Sequence, residues 1–121
     1  MMRLDHVNIS CTDLVATKTF LGATLGLREG WRPPFAFPGH WLVDGDGRPV
    51  VHLIPARRPI EGVNAVDHVA FFFDDLGPRL VHLRSLGYEP KVREVPDTEN
   101  HQCFLSGPDD IVIEFLGPLK S

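Results

Sequence analysis

Two pairs of side chains that could bind a metal ion recur at the same spacing in this chain of 121 residues. His6 is followed 46 residues later by His52, and His68 is followed 46 residues later by Glu114. Imidazole nitrogens and carboxylate oxygens are both common ligands of divalent transition metals. A single strand histidine is more often a core or surface residue than a ligand, but a repeated spacing is harder to obtain by chance. We therefore take these four residues as candidate metal ligands.

The two pairs belong to an internal repeat of the sequence. The segment LDHVNISCTDL at 4–14 aligns with VDHVAFFFDDL at 66–76, at an offset of 62 residues. The same offset, held without gaps, aligns WLVDGDGRPVVHLI at 41–54 with CFLSGPDDIVIEFL at 103–116. A repeat of this kind indicates two copies of one supersecondary unit.

Each half of the chain is predicted to be a βαβββ unit. Alternation over RLDHVNIS and VDHVAFFF predicts an opening strand in each half, and a helix follows with Thr12 or Asp74 as its N-cap. Gly26 and Gly87 are suited to end these helices. Three further strands are predicted in each half, at 28–32, 39–43 and 48–54, and at 89–95, 101–105 and 110–116. We divide a single domain, 1–121, into module 1 (1–55), a linker (56–64) and module 2 (65–121).

Strand alternation predicts which way the four candidate ligands point. In the last strand of each half, His52 and Glu114 lie opposite an apolar row, and His6 and His68 lie opposite an apolar row in the first strands. These apolar rows are Val7 and Ile9, Val51 and Leu53, Val69, Phe71 and Phe73, and Ile113 and Phe115. If they pack on the helices, all four candidate ligands point away from the helices.

Three motifs resemble those of the vicinal oxygen chelate superfamily, which includes glyoxalases, bleomycin-resistance proteins and ring-cleaving dioxygenases. They are DHV at the start of each half, VHLI at 51–54 and GPDDIVIEF at 107–115, and the resemblance covers nearly the whole chain. The sequence departs from the family where Gly107 replaces the usual Asp before Pro108. The resemblance implies an α+β fold in which two tandem βαβββ modules form an open, curved mixed-sheet barrel around one metal. It also implies that the ligands are His6, His52, His68 and Glu114.

Three imidazoles and one carboxylate suit a divalent Zn, Ni, Co, Mn or Fe(II) ion better than Ca or Mg. Four protein ligands on an octahedral ion leave two positions for neighbouring substrate oxygens. The resemblance implies a glyoxalase-like lyase or isomerase, in which the ion chelates vicinal oxygens of a small carbonyl substrate and stabilises an enediolate-like anion. Two alternatives stay open: an Fe(II)-dependent ring-cleaving dioxygenase, and a non-catalytic antibiotic-binding protein of the bleomycin-resistance type. The use of glutathione also stays open, because His52 stands where related glyoxalases carry a glutamate.

Further residues are predicted to surround the metal. Glu114 and His101 are the candidate catalytic residues, with His101 as a general base because imidazole titrates near neutral pH; an exposed histidine at a strand entry is the equal alternative. Asn8, Ser10 and Phe72 share the histidine faces and are predicted to contact substrate. The aromatic and proline-rich segment 31–41 is either a wall for an apolar ligand or a dimer surface.

Composition excludes several classes of partner. A net charge of −4 disfavours nucleic acid, and no apolar run approaches the roughly 18 residues that a membrane helix needs. The N-terminus has no apolar signal region, and two cysteines are too few for a disulfide framework, so we expect a cytoplasmic protein. We expect a homodimer acting on a small molecule, because the sheet edges and segment 31–41 would otherwise face water.

Overall fold

The contacts of the chain divide it into two compact units. In this computed structural model, which describes residues 1–61 and 66–120, the units are Met1–Gly62 and Val63–Ser121. The end of the predicted linker and the first residue of module 2, at 62–65, lie outside the described residues. The linker bounds therefore stay a prediction.

The first unit is a four-stranded mixed sheet with one helix. Its elements are β1 (Val7–Cys11), α1 (Leu14–Leu25), β2 (Arg28–Glu29), β3 (His40–Val43) and β4 (Val51–Pro55). The strands lie in the order β1-β4-β3-β2, with β1 parallel to β4 and the other pairs antiparallel. This is one βαβββ unit, as the sequence predicts.

The second unit repeats this topology. Its elements are β5 (Val69–Phe72), α2 (Leu76–Ser85), β6 (Arg93–Glu94), β7 (Asn100–Ser106), a 3₁₀ turn (Pro108–Asp110) and β8 (Val112–Pro118). The strand order is β5-β8-β7-β6, again with only the first pair parallel. The predicted α+β class and the tandem βαβββ modules are confirmed. The described residues form two separate four-stranded sheets rather than one closed barrel.

Both helices begin one residue later than predicted. The N-caps are Asp13 and Asp75, not Thr12 and Asp74. The Oδ1 atom of Asp13 accepts from the backbone N–H of Ala16 at 3.0 Å, and Asp75 caps α2 in the same manner. An N-cap needs an extended backbone and a side-chain oxygen within reach of the first free N–H groups, and Asp13 and Asp75 meet both conditions.

Glycines in the left-handed conformation follow both helices, as predicted. Gly26 has a φ of 77° and donates its N–H to the carbonyl of Gly22, and Gly87 has a φ of 95°. The helices are 12 and 10 residues long, and within the described part of the chain neither is long and apolar enough to cross a membrane.

The apolar rows of the last strands form the core of each unit. Val51 and Leu53 of β4, and Ile113 and Phe115 of β8, are at most 1% exposed. Helix α1 packs against β4 and β3, and α2 packs against β8. The predicted alternation therefore places the opposite row, with His52 and Glu114, on the face away from the helices.

The repeat is not gapless, and this is a correction to the alignment. Trp41 lies opposite His52, whereas Phe104 lies opposite Glu114. Trp41 therefore corresponds to Phe104 and not to Cys103, because the connection from β3 to β4 is one residue longer than the one from β7 to β8. The same shift moves every β7 residue by one position relative to β3.

Candidate functional site

The first unit brings His6 and His52 into contact. Their ring centroids are 3.8 Å apart and their planes differ by 13°. His52 lies on β4 beside Asn8 of β1, in a parallel register that aligns the two side chains on one face. The His52 residue is only 8% exposed, whereas Asn8 and Ser10 on the same face are exposed, so the face is open to solvent around a buried His52.

The second unit brings His68 and Glu114 together in the same way. Nε2 of His68 lies 3.0 Å from Oε1 of Glu114, and the other carboxylate oxygen accepts from Nε2 of Gln102 at 3.3 Å. Glu114 is only 5% exposed, and a buried carboxylate needs such partners to offset its lost hydration. Gln102 had no signal in the sequence, because its contact depends on the register of β7 against β8.

An aspartate orients the first histidine of each pair. Nδ1 of His6 lies 2.7 Å from Oδ2 of Asp5, and Nδ1 of His68 lies 2.8 Å from Oδ2 of Asp67. A carboxylate at Nδ1 fixes the ring and leaves Nε2 as the atom that could bind a metal, as carboxylates hydrogen-bonded to histidine ligands do in metalloproteins. The Asp-His pair of the DHV motif therefore has the same geometry in both units.

The electrostatics of the two units differ. The hydrogen bond to Asp67 raises the pKa of His68, and the negative charge of Glu114 adds to this effect. Burial lowers the pKa of His52, and the neighbouring His6 lowers it further. A lowered pKa favours the neutral form of His52, which is the form in which imidazole binds a metal.

Trp41 completes the surroundings of His52 and was not singled out as a site residue from the sequence. Its ring stacks on His52 with centroids 4.0 Å apart and planes 9° apart. His52 Nε2 lies 3.1 Å from the carbonyl oxygen of Pro49, so a proton on Nε2 leaves the lone pair on Nδ1. Phe104 is the residue of the second unit that corresponds to Trp41, and its ring contacts His68. An aromatic residue at the same place in both units would have indicated Trp41 from the sequence, but only if the one-residue shift had been known.

The structure does not bring His101 to Glu114. His101 pairs with Gly117 and shares its face of β7 with the buried Cys103, while Gln102 and Phe104 occupy the face of Glu114. Its Nδ1 atom is buried and has no hydrogen-bond partner within the described residues. Strand alternation thus places His101, the predicted general base, on the opposite face of β7 from Gln102 and Phe104.

The three predicted substrate-contact residues keep their predicted faces. Asn8 lines a cavity together with His52, and Ser10 lies on the same face of β1, opposite Ile54. Phe72 of the second unit is 60% exposed and lies two residues beyond Ala70, which pairs with Glu114.

The cavity of the first unit has a volume of about 430 Å³. Segment 31–41 supplies much of its wall, in agreement with one of the two predictions for this segment, that it is a wall for an apolar ligand. The lining residues are Asn8, Arg32, Phe35, Phe37, Trp41, His52, Ile54, Pro55, Ala56 and Arg57.

The donor chemistry fits a divalent transition metal, although each unit supplies only part of a ligand set. No group of three or more His, Cys, Asp or Glu side chains able to hold a metal occurs within residues 1–61 or within residues 66–120. Each unit instead presents one pair, with His6 and His52 in the first and His68 and Glu114 in the second. Together the two pairs offer three imidazole nitrogens and one carboxylate. This nitrogen and oxygen donor set is of the kind that Zn, Mn, Co, Ni and Fe(II) accept.

A sequence profile decides the family. The profile of the Glyoxalase/Bleomycin resistance protein/Dioxygenase superfamily matches residues 3–115. The chain belongs to this superfamily. Comparison with curated protein sequences finds no match.

Solved structures of superfamily proteins share the fold. A glyoxalase family protein from Bacillus anthracis is 20% identical, with a TM-score of 0.78 over 98% of this chain and 96% of the other. The fosfomycin resistance protein FosX from Listeria monocytogenes is 15% identical, with a TM-score of 0.72 over 99% of this chain and 96% of the other. A variant of FosX in complex with Mn(II) and 1S,2S-dihydroxypropylphosphonic acid is 15% identical, with a TM-score of 0.73 over 99% and 95% of the two chains. Superfamily membership supports a metal-dependent protein and is consistent with an enzyme.

Proposed function

We propose that His6, His52, His68 and Glu114 bind one divalent transition-metal ion, and that the protein is a glyoxalase-like lyase or isomerase. The observation that carries this proposal is the matched pair in each unit, whose first histidine is held by its own aspartate at 2.7 or 2.8 Å. Structural histidines have no need for the same second-shell carboxylate in both copies of a repeat. The FosX complex with Mn(II) supports a metal cofactor in this superfamily.

The bound ion would act as a Lewis acid on two neighbouring oxygens of a small carbonyl substrate and stabilise an enediolate-like anion. The chain itself must move the proton. We assign this transfer to Glu114, whose two oxygens are held by different partners, His68 and Gln102. His101 is left out of this assignment because it lies on the other face of β7.

The proposed setting is a cytoplasmic homodimer that acts on a small molecule. The wall of Trp41 and Phe35 beside His52 would exclude water from a reactive anion. A ring-cleaving dioxygenase, an antibiotic-binding protein and a fosfomycin-modifying enzyme are the competing activities that the assays must separate.

Metal content and substrate assays test this function. Protein purified without chelator is analysed for bound metals, then assayed with 2-oxoaldehyde hemithioacetals, with catechols after anaerobic Fe(II) loading, and with fosfomycin. We expect one ion per chain and conversion of the hemithioacetals that Glu114→Gln abolishes. Activity only on catechols or fosfomycin would move the protein to that class, and tight antibiotic binding by metal-free protein would make it a binding module.

A further inference from the structure

The cavity of the first unit is positively charged in a chain that is otherwise acidic. Arg32 and Arg57 line it, no acidic side chain of the described residues does, and the chain as a whole carries a net charge of −4. The remaining wall is mainly apolar and includes Phe35, Phe37 and Trp41. A volume of about 430 Å³ suits a small organic molecule. Charge complementarity therefore favours an anionic ligand with an apolar body.

Arg32 packs against two aromatic side chains at this cavity. Its guanidinium carbon lies 4.9 Å from the ring centroids of both Phe35 and Phe37, so the cation packs on aromatic faces. A Cβ atom at Gly39 would lie 3.0 Å from Nη2 of Arg32, so glycine at this position leaves room for the guanidinium. The charge is thus preorganised by packing rather than by an ion pair.

Two of the three guanidinium nitrogens of Arg32 have no acceptor among the described residues. Nε and Nη2 of Arg32 are buried and have no hydrogen-bond partner within the described residues. Buried donors that make no hydrogen bond are costly, and more so on a charged group. An oxyanion is the partner that guanidinium binds most strongly, often through two parallel hydrogen bonds.

The second unit shows what Arg32 is missing. With the one-residue shift of the repeat, Gly39 corresponds to Gln102. Continuing the register of β2 against β3 past Glu29 puts Arg32 opposite Gly39, where its guanidinium lies, just as Arg93 of β6 pairs with Gln102. Arg93 donates from Nε to Oε1 of Gln102 at 2.9 Å. Its counterpart Arg32 faces a glycine, which offers no side-chain acceptor. Each unit therefore has an arginine at this place, but a side-chain acceptor lies beside it only in the second unit.

We propose that Arg32 binds the oxyanion group, carboxylate or phosphonate, of a small molecule whose planar apolar body packs against Phe35 and Trp41. Arg57 adds positive charge at the same cavity. The proposal rests on the proposed function only in one respect: the far end of this ligand, near His52, would be the reacting end. Substrates would then be anionic carbonyl compounds with an apolar body rather than small neutral ones.

Fluorescence of Trp41 in metal-free protein tests the proposal. Trp31 is 76% exposed and does not line the cavity, so Trp31→Phe leaves Trp41 as the single indole reporter. The probes are benzoate, phenylphosphonate and the uncharged benzamide, which has the size of benzoate. We expect at least one anion to bind roughly ten times more tightly than benzamide, because a charge-assisted hydrogen bond contributes more than a neutral one.

Two arginine variants provide the decisive comparison. Arg32→Gln should abolish the preference for the anion, while Arg58→Gln, which removes the same charge from an exposed position that does not line the cavity, should keep it. Circular dichroism and the thermal midpoint of each variant show whether it is folded, and Arg32→Lys provides a second test if Arg32→Gln is not. Equal binding of benzoate, phenylphosphonate and benzamide, or an unchanged preference in folded Arg32→Gln, would overturn the proposal.

The titrations use metal-free protein so that the two proposals fail separately. Anion binding that depends on Arg32, in a protein that takes up no metal, would refute the metal enzyme and leave the anion site. Metal binding without a preference for the anions would refute the anion site and leave the proposed metal enzyme.

Discussion

The aspartate of the DHV motif explains why this motif recurs at the start of each unit. A strand places neighbouring side chains on opposite faces, yet the carboxylates of Asp5 and Asp67 both reach Nδ1 of the following histidine. This contact is possible because His6 and His68 lie just before the first strand, where the backbone is not yet paired. The motif therefore codes for a ligand together with the group that orients it.

Asp5→Asn and Asp67→Asn are each expected to weaken metal binding about tenfold or more. The change removes the anionic acceptor that fixes the ring and leaves the histidine itself in place. Competition with a chromophoric chelator measures the affinity. Asp46→Asn, in an exposed turn, is the matched control and should bind like the parent. Equal affinity in all three variants would show that the carboxylates do not support a metal ligand.

His52→Ala is expected to lower metal affinity by at least an order of magnitude. His52 is one of four ligands in the proposed site. His40→Ala is the control, because His40 pairs opposite Leu53 and so lies on the other face of the same sheet. Metal stoichiometry is measured under competition with a chelator. Parental stoichiometry in both His52→Ala and Glu114→Ala would show that the site assignment is wrong.

At the scale of elements, the helix caps give a sharp test of where α2 begins. Asp75→Ala is expected to lower the free energy of unfolding by about 1 kcal/mol, because the N–H groups of Gly77 and Lys120 lose their shared acceptor. Asp74→Ala, at the exposed neighbouring position, should change it by no more than about 0.5 kcal/mol. Urea denaturation of both variants measures the difference. A larger loss in Asp74→Ala would restore the sequence-based assignment of the cap.

The approach of β5 to β8 depends on Gly117. A Cβ atom at this position would lie 2.1 Å from the carbonyl oxygen of Phe73, a backbone atom that cannot move without disturbing the strand. Gly117→Ala should therefore destabilise the protein by about 1–3 kcal/mol, as overpacking does.

Gly45→Ala is the matched control, because a Cβ atom there meets nothing within 4 Å. Thermal unfolding of the two variants should separate them clearly. A Gly117→Ala protein as stable as Gly45→Ala would contradict the close approach.

The strand pairing explains which site residues could be predicted from the sequence and which could not. The spacing of 46 residues holds because His52 and Glu114 sit on last strands that pair in parallel with the first, beside Asn8 and Ala70. Trp41 and Gln102 could not be found in this way, since their contacts depend on loop lengths that differ by one residue between the units. Turn lengths are set by local backbone geometry, to which apolar periodicity is insensitive.

The strand predicted at 28–32 is shorter in the structure. Only Arg28–Glu29 forms β2, because Pro33 and Pro34 follow and have no N–H to extend a ladder. The segment that leaves the sheet there carries Arg32 and the aromatic wall of the cavity. The residues that follow the end of β2, including Arg32 and Phe35, therefore line the cavity instead of extending the sheet.

At the scale of the whole molecule, the proposed ligand set is divided equally between two compact units. A pair of ligands alone binds an ion weakly, so an ion held by all four requires both units, from one chain or from two. The linker of about ten residues can span roughly 30 Å when extended, which permits either arrangement. We expect a homodimer with twice the chain mass of 13.5 kDa and two ions. Light scattering at micromolar concentration that gives the mass of one chain, with or without metal, would contradict this.

Mixed dimers test the division of ligands directly. Chains carrying His52→Ala and chains carrying Glu114→Ala are co-expressed with different tags, and the heterodimer is isolated by both tags. If each ion is bound by units of two chains, one site of the heterodimer keeps all four ligands and the other loses two, so one ion binds tightly. If each ion is bound within one chain, every site lacks one ligand and neither ion binds tightly. Both results require ligands from both units, whereas two tightly bound ions per heterodimer would show that His52 and Glu114 do not belong to one site.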